Sequence, residues 1–140
     1  MQLRSIGNRS VPAIGLGCMN LSHAYGIPPS RGQAERVLQC ALDLGITHFD
    51  SAALYGASKN ESLVGPFLKS VREQIFLVSK GVLFMRDGKR TLDGRPDQIR
   101  RSCEESLARL QTDVIDLYYL HRLDPEVPIE ESVGAVADLI

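Results

Sequence analysis

The sequence predicts an α/β fold, a parallel sheet with helices packed outside it, and three observations carry that expectation. Apolar runs of strand length recur at 13–17, 46–50, 75–80 and 115–121 and alternate with amphipathic helical patterns. Each helical pattern has its own start or stop signal, so the order of elements along the chain is defined. The last three runs each give out at a polar residue, as happens when parallel strands share one C-terminal rim. Such alternation argues for parallel pairing. Four strand-helix units behind a β-hairpin make half of a (β/α)8 TIM barrel, a fold that takes about 250 residues when whole.

The elements follow in order. Gln2–Ser5 and Ser10–Pro12 flank a Gly7-Asn8 pair that favours a hairpin turn. Ala13–Gly17 reads as a short strand, and Asn20–Gly32, with Gly26, Pro28, Pro29 and Gly32, as a loop. Ser30 with Gln33 forms a capping box ahead of an apolar face of Ala34, Val37, Leu38, Ala41 and Leu42, and Gly45 stops the helix. A second capping box, Ser58 with Glu61, opens a helix whose inner face is Leu63, Val64, Phe67 and Leu68. Pro66 within it is expected to kink or shorten it, at a cost of about 3 kcal/mol if unrelieved. Met85–Gly94 is polar and reads as a surface loop. Pro96 starts a helix buried through Ile99, Cys103, Leu107 and Leu110, and Pro128 starts the last, with Ile129, Val133, Val136, Ala137 and Ile140 along one face.

Composition narrows the function classes. An apolar share of 44% with 24% charged residues is that of a globular protein able to build a core. A net charge of −1 without basic or acidic blocks argues against nucleic acid or a membrane surface as partner. No run is long enough to span a bilayer and no signal-peptide core is present, which makes cytoplasm the expected location. Cys18, Cys40 and Cys103 are odd in number, form no C-x-x-C pair and show no ligand spacing with His23, His48 or His121. Reduced thiols and no metal site are expected, with Cys40 and Cys103 in the core.

Four polar residues stand out: Asp50, Lys80 and His121 each close an apolar run, and Tyr55 follows the first of these by five residues. Parallel strands would bring all four to one rim, where an acid, a phenol, an amine and an imidazole suit proton transfer. Asp50 would compensate the partly desolvated Lys80, the pair would favour the phenolate of Tyr55 and make it a usable proton donor, and His121 would orient a substrate oxygen. Taken singly, each has a plain structural role: a helix cap, a packing tyrosine, a turn lysine, a core histidine. Their joint placement is what argues for a site. Gly15-Leu16-Gly17 lacks the third glycine of a dinucleotide fingerprint, Asn20 standing there, so a Rossmann reading is rejected. His48 is expected to be structural, and Arg100 and Arg101 to lie on a solvated helix face.

The sequence resembles the aldo-keto reductase family. The resemblance runs through Ile14-Gly15-Leu16-Gly17-Cys18-Met19, Phe49-Asp50-Ser51-Ala52-Ala53-Leu54-Tyr55-Gly56 and Asn60-Glu61-Ser62-Leu63-Val64-Gly65. It continues through Val78-Ser79-Lys80-Gly81 and Asp113–Arg122. What it implies is hydride transfer from a reduced nicotinamide, NADPH, to the carbonyl of a small aldehyde, ketone or quinone. Tyr55 would be the general acid, Lys80 and Asp50 would tune it, and His121 would position the carbonyl. Gly17, Cys18 and Met19, together with Asp50, would border the nicotinamide. The resemblance also implies that residues 1–140 are the N-terminal part of a TIM-barrel domain whose second half, with most of the cofactor site, is absent.

Two other functions remain open at this stage. Lys80 could act as a Schiff-base nucleophile in a lyase or aldolase. Alternatively the chain is non-catalytic, either an inert fragment or a half-barrel that binds a partner chain or a second copy through its two unpaired sheet edges.

Overall fold

The computed structural model describes residues 1–140. Strands β1 (Leu3–Ile6) and β2 (Arg9–Pro12) form the expected antiparallel hairpin, with Ile6 opposite Arg9 across the Gly7-Asn8 turn. Strand β3 (Leu16–Gly17) is shorter than the apolar run that announces it, and a single 3-10 turn at Met19–Leu21 interrupts the following loop and buries Leu21. Helix α1 (Arg31–Asp43) has the capping box at Ser30 and Gln33, each side chain reaching the other's backbone. At its end Gly45 adopts a positive φ of 78°, donating to Leu42 while Ile46 donates to Ala41, the paired bonds of a Schellman stop. Strand β4 (His48–Asp50) and helix α2 (Lys59–Ser70) make the second unit, and β5 (Phe76–Gly81) opens the third. A hairpin of β6 (Leu83–Arg86) and β7 (Lys89–Leu92) precedes α3 (Pro96–Leu110). Strand β8 (Leu117–Leu120) and α4 (Ile129–Ala137) complete the chain.

The sheet is β3-β4-β5-β8, parallel throughout, with β3 and β8 as edges paired on one side only. Strand periodicity decides which side chains face where. Leu77 and Phe49 turn outward and pack with Leu38, Val64, Leu68 and Leu110 of the helices in the main core. Phe76 and Val78 turn to the opposite face, where Val11 of the first hairpin closes over them. Lys80 is next on that inner face. The same alternation sends Tyr118 and Leu120 of β8 outward against Val82, Ile99 and Ala135, and Leu117 inward. The parallel α/β architecture of a half-barrel is thus present as the sequence predicts. No helix is long and apolar enough to cross a membrane.

Several local expectations fail, each for a physical reason. Val37 and Cys40 are exposed, because α1 buries only the narrower stripe Ala34, Leu38 and Ala41. Ser58 takes a left-handed φ of 70° and makes no capping bond; its hydroxyl donates to the Ala53 carbonyl instead, and Glu61 is drawn into the core. Helix α2 continues past Pro66 to Ser70, so the proline does not shorten it. Residues 85–94 hold a hairpin in place of a plain loop, since Asp87 and Gly88 both take positive φ, as a two-residue type I′ turn requires. Helix α4 turns Ser132 and Ala135 inward, with Ser132 Oγ donating to the Gly94 carbonyl at 2.7 Å, and leaves Ile129, Val133, Ala137 and Ile140 exposed.

Candidate active site

The rim at the C-terminal ends of the strands is assembled by register. Gly17 is level with Asp50 and Asp50 with Val78, so Asp50 and Lys80 emerge from adjacent strands at neighbouring heights. Lys80 is level with Tyr119, and His121 follows one residue past β8, its amide donating to the Gly81 carbonyl at 3.1 Å. Tyr55 comes from the turn between β4 and α2. That turn is held in an unusual conformation, with Gly56, Ala57 and Ser58 all at positive φ. For two non-glycine residues this stores strain that only a fixed environment sustains. A side chain at Gly56 would also press on the Ser22 carbonyl at 3.0 Å. The Tyr55 ring is therefore delivered by a segment with little room to change.

All four predicted residues meet. Lys80 Nζ forms an ion pair with Asp50, donates to the Ser51 carbonyl at 2.9 Å and lies 3.2 Å from Tyr55 Oη. The Lys80 side chain is only 13% exposed, so its ammonium faces that carboxylate more than it faces water. The Tyr55 and His121 rings meet edge to face at 87° with centroids 5.7 Å apart, and His23 stacks beyond Tyr55 at 6.5 Å. Burial, then the Lys80 and Arg122 cations, hold His121 below the usual imidazole range, against the opposing pull of Asp50. His121 Nδ1 is buried without a partner. The site thus offers a phenol beside an ammonium, and a neutral imidazole at the ring's edge.

The residues expected to border a cofactor behave differently from one another. A Cβ placed on Gly17 would meet nothing within 4 Å, so the rim is open there, and the neighbouring Asp50 side chain is 32% exposed. Met19 is half-buried. The Cys18 side chain, by contrast, is fully buried in the main core and only its backbone serves the rim, its amide donating to the Asp50 carbonyl at 2.8 Å. Burial, with the Asp50 charge, pushes the Cys18 thiol up to about 12 from 9.0. At neutral pH a thiol reagent is therefore expected to label exposed Cys40 in the native protein and to leave Cys18 untouched until unfolding, as peptide mapping after alkylation would reveal. The pH sign follows: the raised native value favours the fold below about pH 9, and that contribution fades as pH climbs from 9 towards 12. Wild type should lose more stability than Cys18→Ala over that window.

Polar residues to which the sequence reading gave no part in the site lie behind the four. Ser51, Asn60, Glu61 and Ser79 are all fully buried. Asn60 bonds Ser51, Cys18 and Ser22, while Glu61 accepts from Ser79 and Arg109. The signal was available: Glu61 shares a helical face with Val64 and Leu68, where an apolar side chain is the rule. His48, read as structural, packs edge-on against Phe76 at 5.4 Å. Arg101 is exposed as expected, and half-exposed Arg100 pairs with Asp97 and Asp138.

A parallel strand-helix sheet with an ion-paired lysine, a tyrosine and a histidine on its C-terminal rim has the layout of half of a (β/α)8 barrel, a fold class that builds its sites on that rim. Residues 13–140 match the model of the Aldo/keto reductase family, and the chain belongs to that family. It is 44% identical over 137 residues to the aldo-keto reductase yakc [NADP(+)] of Schizosaccharomyces pombe, covering 95% of this chain and 40% of that protein. It is 42% identical to a probable aldo-keto reductase of Glycine max, of which it covers 38%. Among solved structures, the holo form of an aldo-keto reductase from Bacillus halodurans superposes with a TM-score of 0.88 at 36% identity, over 99% of this chain and 46% of that one. The glycerol dehydrogenase of Gluconobacter oxydans follows at 0.84 and 29% identity, over 99% of this chain and 43% of that one. The chain spans about 40% of the length of the curated relatives it matches.

Proposed function

We propose that this chain, as the N-terminal part of a TIM-barrel domain, carries the proton-transfer rim of a cytoplasmic, NADPH-dependent reductase of small aldehydes, ketones or quinones. One observation carries the reading: Lys80 Nζ, neutralised by Asp50, sits 3.2 Å from Tyr55 Oη. A cation at that distance lies where the negative charge left on the phenolic oxygen would form, which suits Tyr55 to general acid work. The Tyr55 proton passes from Oη to the substrate carbonyl oxygen as that oxygen gains negative charge. Lys80 stabilises the phenolate left behind, and the Asp50 carboxylate and Ser51 carbonyl hold Lys80 in place. Neutral His121 can donate one N–H to the same oxygen and fix the carbonyl's direction.

The residues present fit a nicotinamide. The open space beside Gly17 and the part-exposed carboxylate of Asp50 are neighbours in register on the same rim. The backbone of Gly17, Cys18 and Met19, with Asp50, would border the ring. When bound, the cofactor supplies the hydride. The name of the fission-yeast relative, which includes NADP(+), supports the phosphorylated form.

The test is NADPH titration by cofactor fluorescence, paired with NADPH consumption on a panel of aldehydes, ketones and quinones, on the protein expressed from its natural gene. Saturable binding and alcohol or hydroquinone formation matched to NADPH consumed are the expected results. Folded protein that neither binds nor consumes NADPH would overturn the reading. The open edges of β3 and β8 favour a second reading, a non-catalytic half-barrel that binds a partner chain or a second copy. It predicts a defined dimer or hetero-complex by light scattering, with assembly indifferent to NADPH.

A further inference from the structure

Asn60 is fully buried, yet it lies at the start of α2, where most polar side chains reach water. Its amide is almost completely used. Nδ2 donates to the Cys18 carbonyl at 2.8 Å and to Ser22 Oγ at 2.7 Å, and Oδ1 accepts from Ser51 Oγ at 2.7 Å. Its backbone N–H donates to the Tyr55 carbonyl at 3.2 Å. These four bonds join three segments that a mobile rim would let drift apart: the loop after β3, the end of β4, and the Tyr55 turn.

The same segments hold the proton-transfer groups. Cys18, whose carbonyl Asn60 grips, donates its own amide to the Asp50 carbonyl at 2.8 Å. Ser51, whose hydroxyl Asn60 receives, gives its carbonyl to Lys80 Nζ at 2.9 Å. Tyr55 is reached directly through its carbonyl. Asn60 therefore touches the backbone on each side of the Lys80–Tyr55 pair, though its side chain contacts neither. A helix supplies it, so the anchor is rigid where the loops are not. A buried carboxamide is suited to this because donor and acceptor are both satisfied across fixed distances, and a half-satisfied network would be costly.

We infer that Asn60 is a positioning residue that fixes the separation between Tyr55 Oη and Lys80 Nζ, acting through the Cys18 and Ser51 main chain. The inference deepens the proposed reductase reading and rests on it for its kinetic consequence. The isosteric Asn60→Asp keeps an acceptor for Ser51 but sets an oxygen against the Cys18 carbonyl. It is expected to lower kcat about 100-fold, the scale at which a misplaced reacting group slows a reaction, with the carbonyl KM within about twofold of wild type. Ser51→Ala removes one bond of the same set without a buried charge, and should lower kcat about tenfold with KM unchanged, in the same direction and to a lesser degree. Val64→Ala, a core truncation in the same helix away from the rim, controls for lost stability and should leave kcat as it is.

Amide hydrogen exchange supplies a readout independent of turnover. In Asn60→Asp, or in Ser51→Ala should the former fail to fold, the Cys18 and Asn60 amides should exchange faster while Leu77 and Val78 keep their protection. Loss of kcat matched by Val64→Ala, or unchanged exchange at Cys18 and Asn60 in a folded variant, would overturn the inference. If wild type reduces no carbonyl, the reductase reading fails on its own, and the exchange pattern still decides whether Asn60 holds the rim.

Discussion

On the proposed reductase reading, Tyr55→Phe is expected to slow carbonyl reduction by about 100- to 10,000-fold, the range over which a positioned general acid acts, while NADPH binding stays near wild type. The substitution deletes one oxygen, the atom 3.2 Å from Lys80 Nζ, and keeps the ring that meets His121 edge to face and stacks on His23. Nothing in the packing gives a reason for the variant to misfold. Lys80 would retain Asp50 and the Ser51 carbonyl, so its charge stays compensated. The variant also separates two chemistries that a rim lysine permits. If Lys80 were a Schiff-base nucleophile, borohydride with a carbonyl compound would trap a covalent adduct on it, and Tyr55→Phe would still form the adduct. The ion pair and bond Lys80 makes here argue against that role, because a nucleophilic amine must be free of its proton. Turnover in Tyr55→Phe equal to wild type, measured by NADPH consumption at saturating substrate, would remove Tyr55 from the chemistry.

The rim was legible because strand alternation has only two answers. Once Phe76 and Val78 face the interior, Lys80 must as well, and a parallel register carries Asp50 to its side. The end of α1 was legible for a similar reason, since Ser30, Gln33 and Gly45 act within a turn of themselves. The start of α2 was not. Ser58 and Glu61 have the spacing of a capping box, but that bond contributes about 1 kcal/mol, less than a buried carboxylate gains from a cation and a hydroxyl. The partners that won, Arg109 and Ser79, stand 48 and 18 residues away, where no local rule looks. The Asp87-Gly88 hairpin was a different kind of miss. Its turn signal is local and strong, but no alternating apolar residues flank it. The exposed apolar side of α4 was hidden because periodicity defines a stripe without saying what covers it.

Arg109→Ala is expected to destabilise the fold by about 3–5 kcal/mol, the cost of leaving one member of a buried ion pair behind. That is a large share of the roughly 5–15 kcal/mol that holds a domain together. Glu61 has no access to water and two partners: Arg109 Nε at 2.7 Å and Ser79 Oγ at 2.5 Å. Without the guanidinium, the fully buried carboxylate keeps a single partner, the Ser79 hydroxyl. The reverse truncation should be milder. Glu61→Gln keeps an acceptor for Ser79, and Arg109, one-fifth exposed, retains Glu105 and Ser106 and can lean towards solvent, so the loss should be about 1–3 kcal/mol. Replacing both, as Glu61→Leu with Arg109→Met, removes the charge from the interior and should cost less than Arg109→Ala alone. Urea unfolding midpoints of the three variants check the order. Equal losses from the two single variants would mean that water reaches Glu61, and that the pair is a surface contact with little hold on β5 behind Lys80.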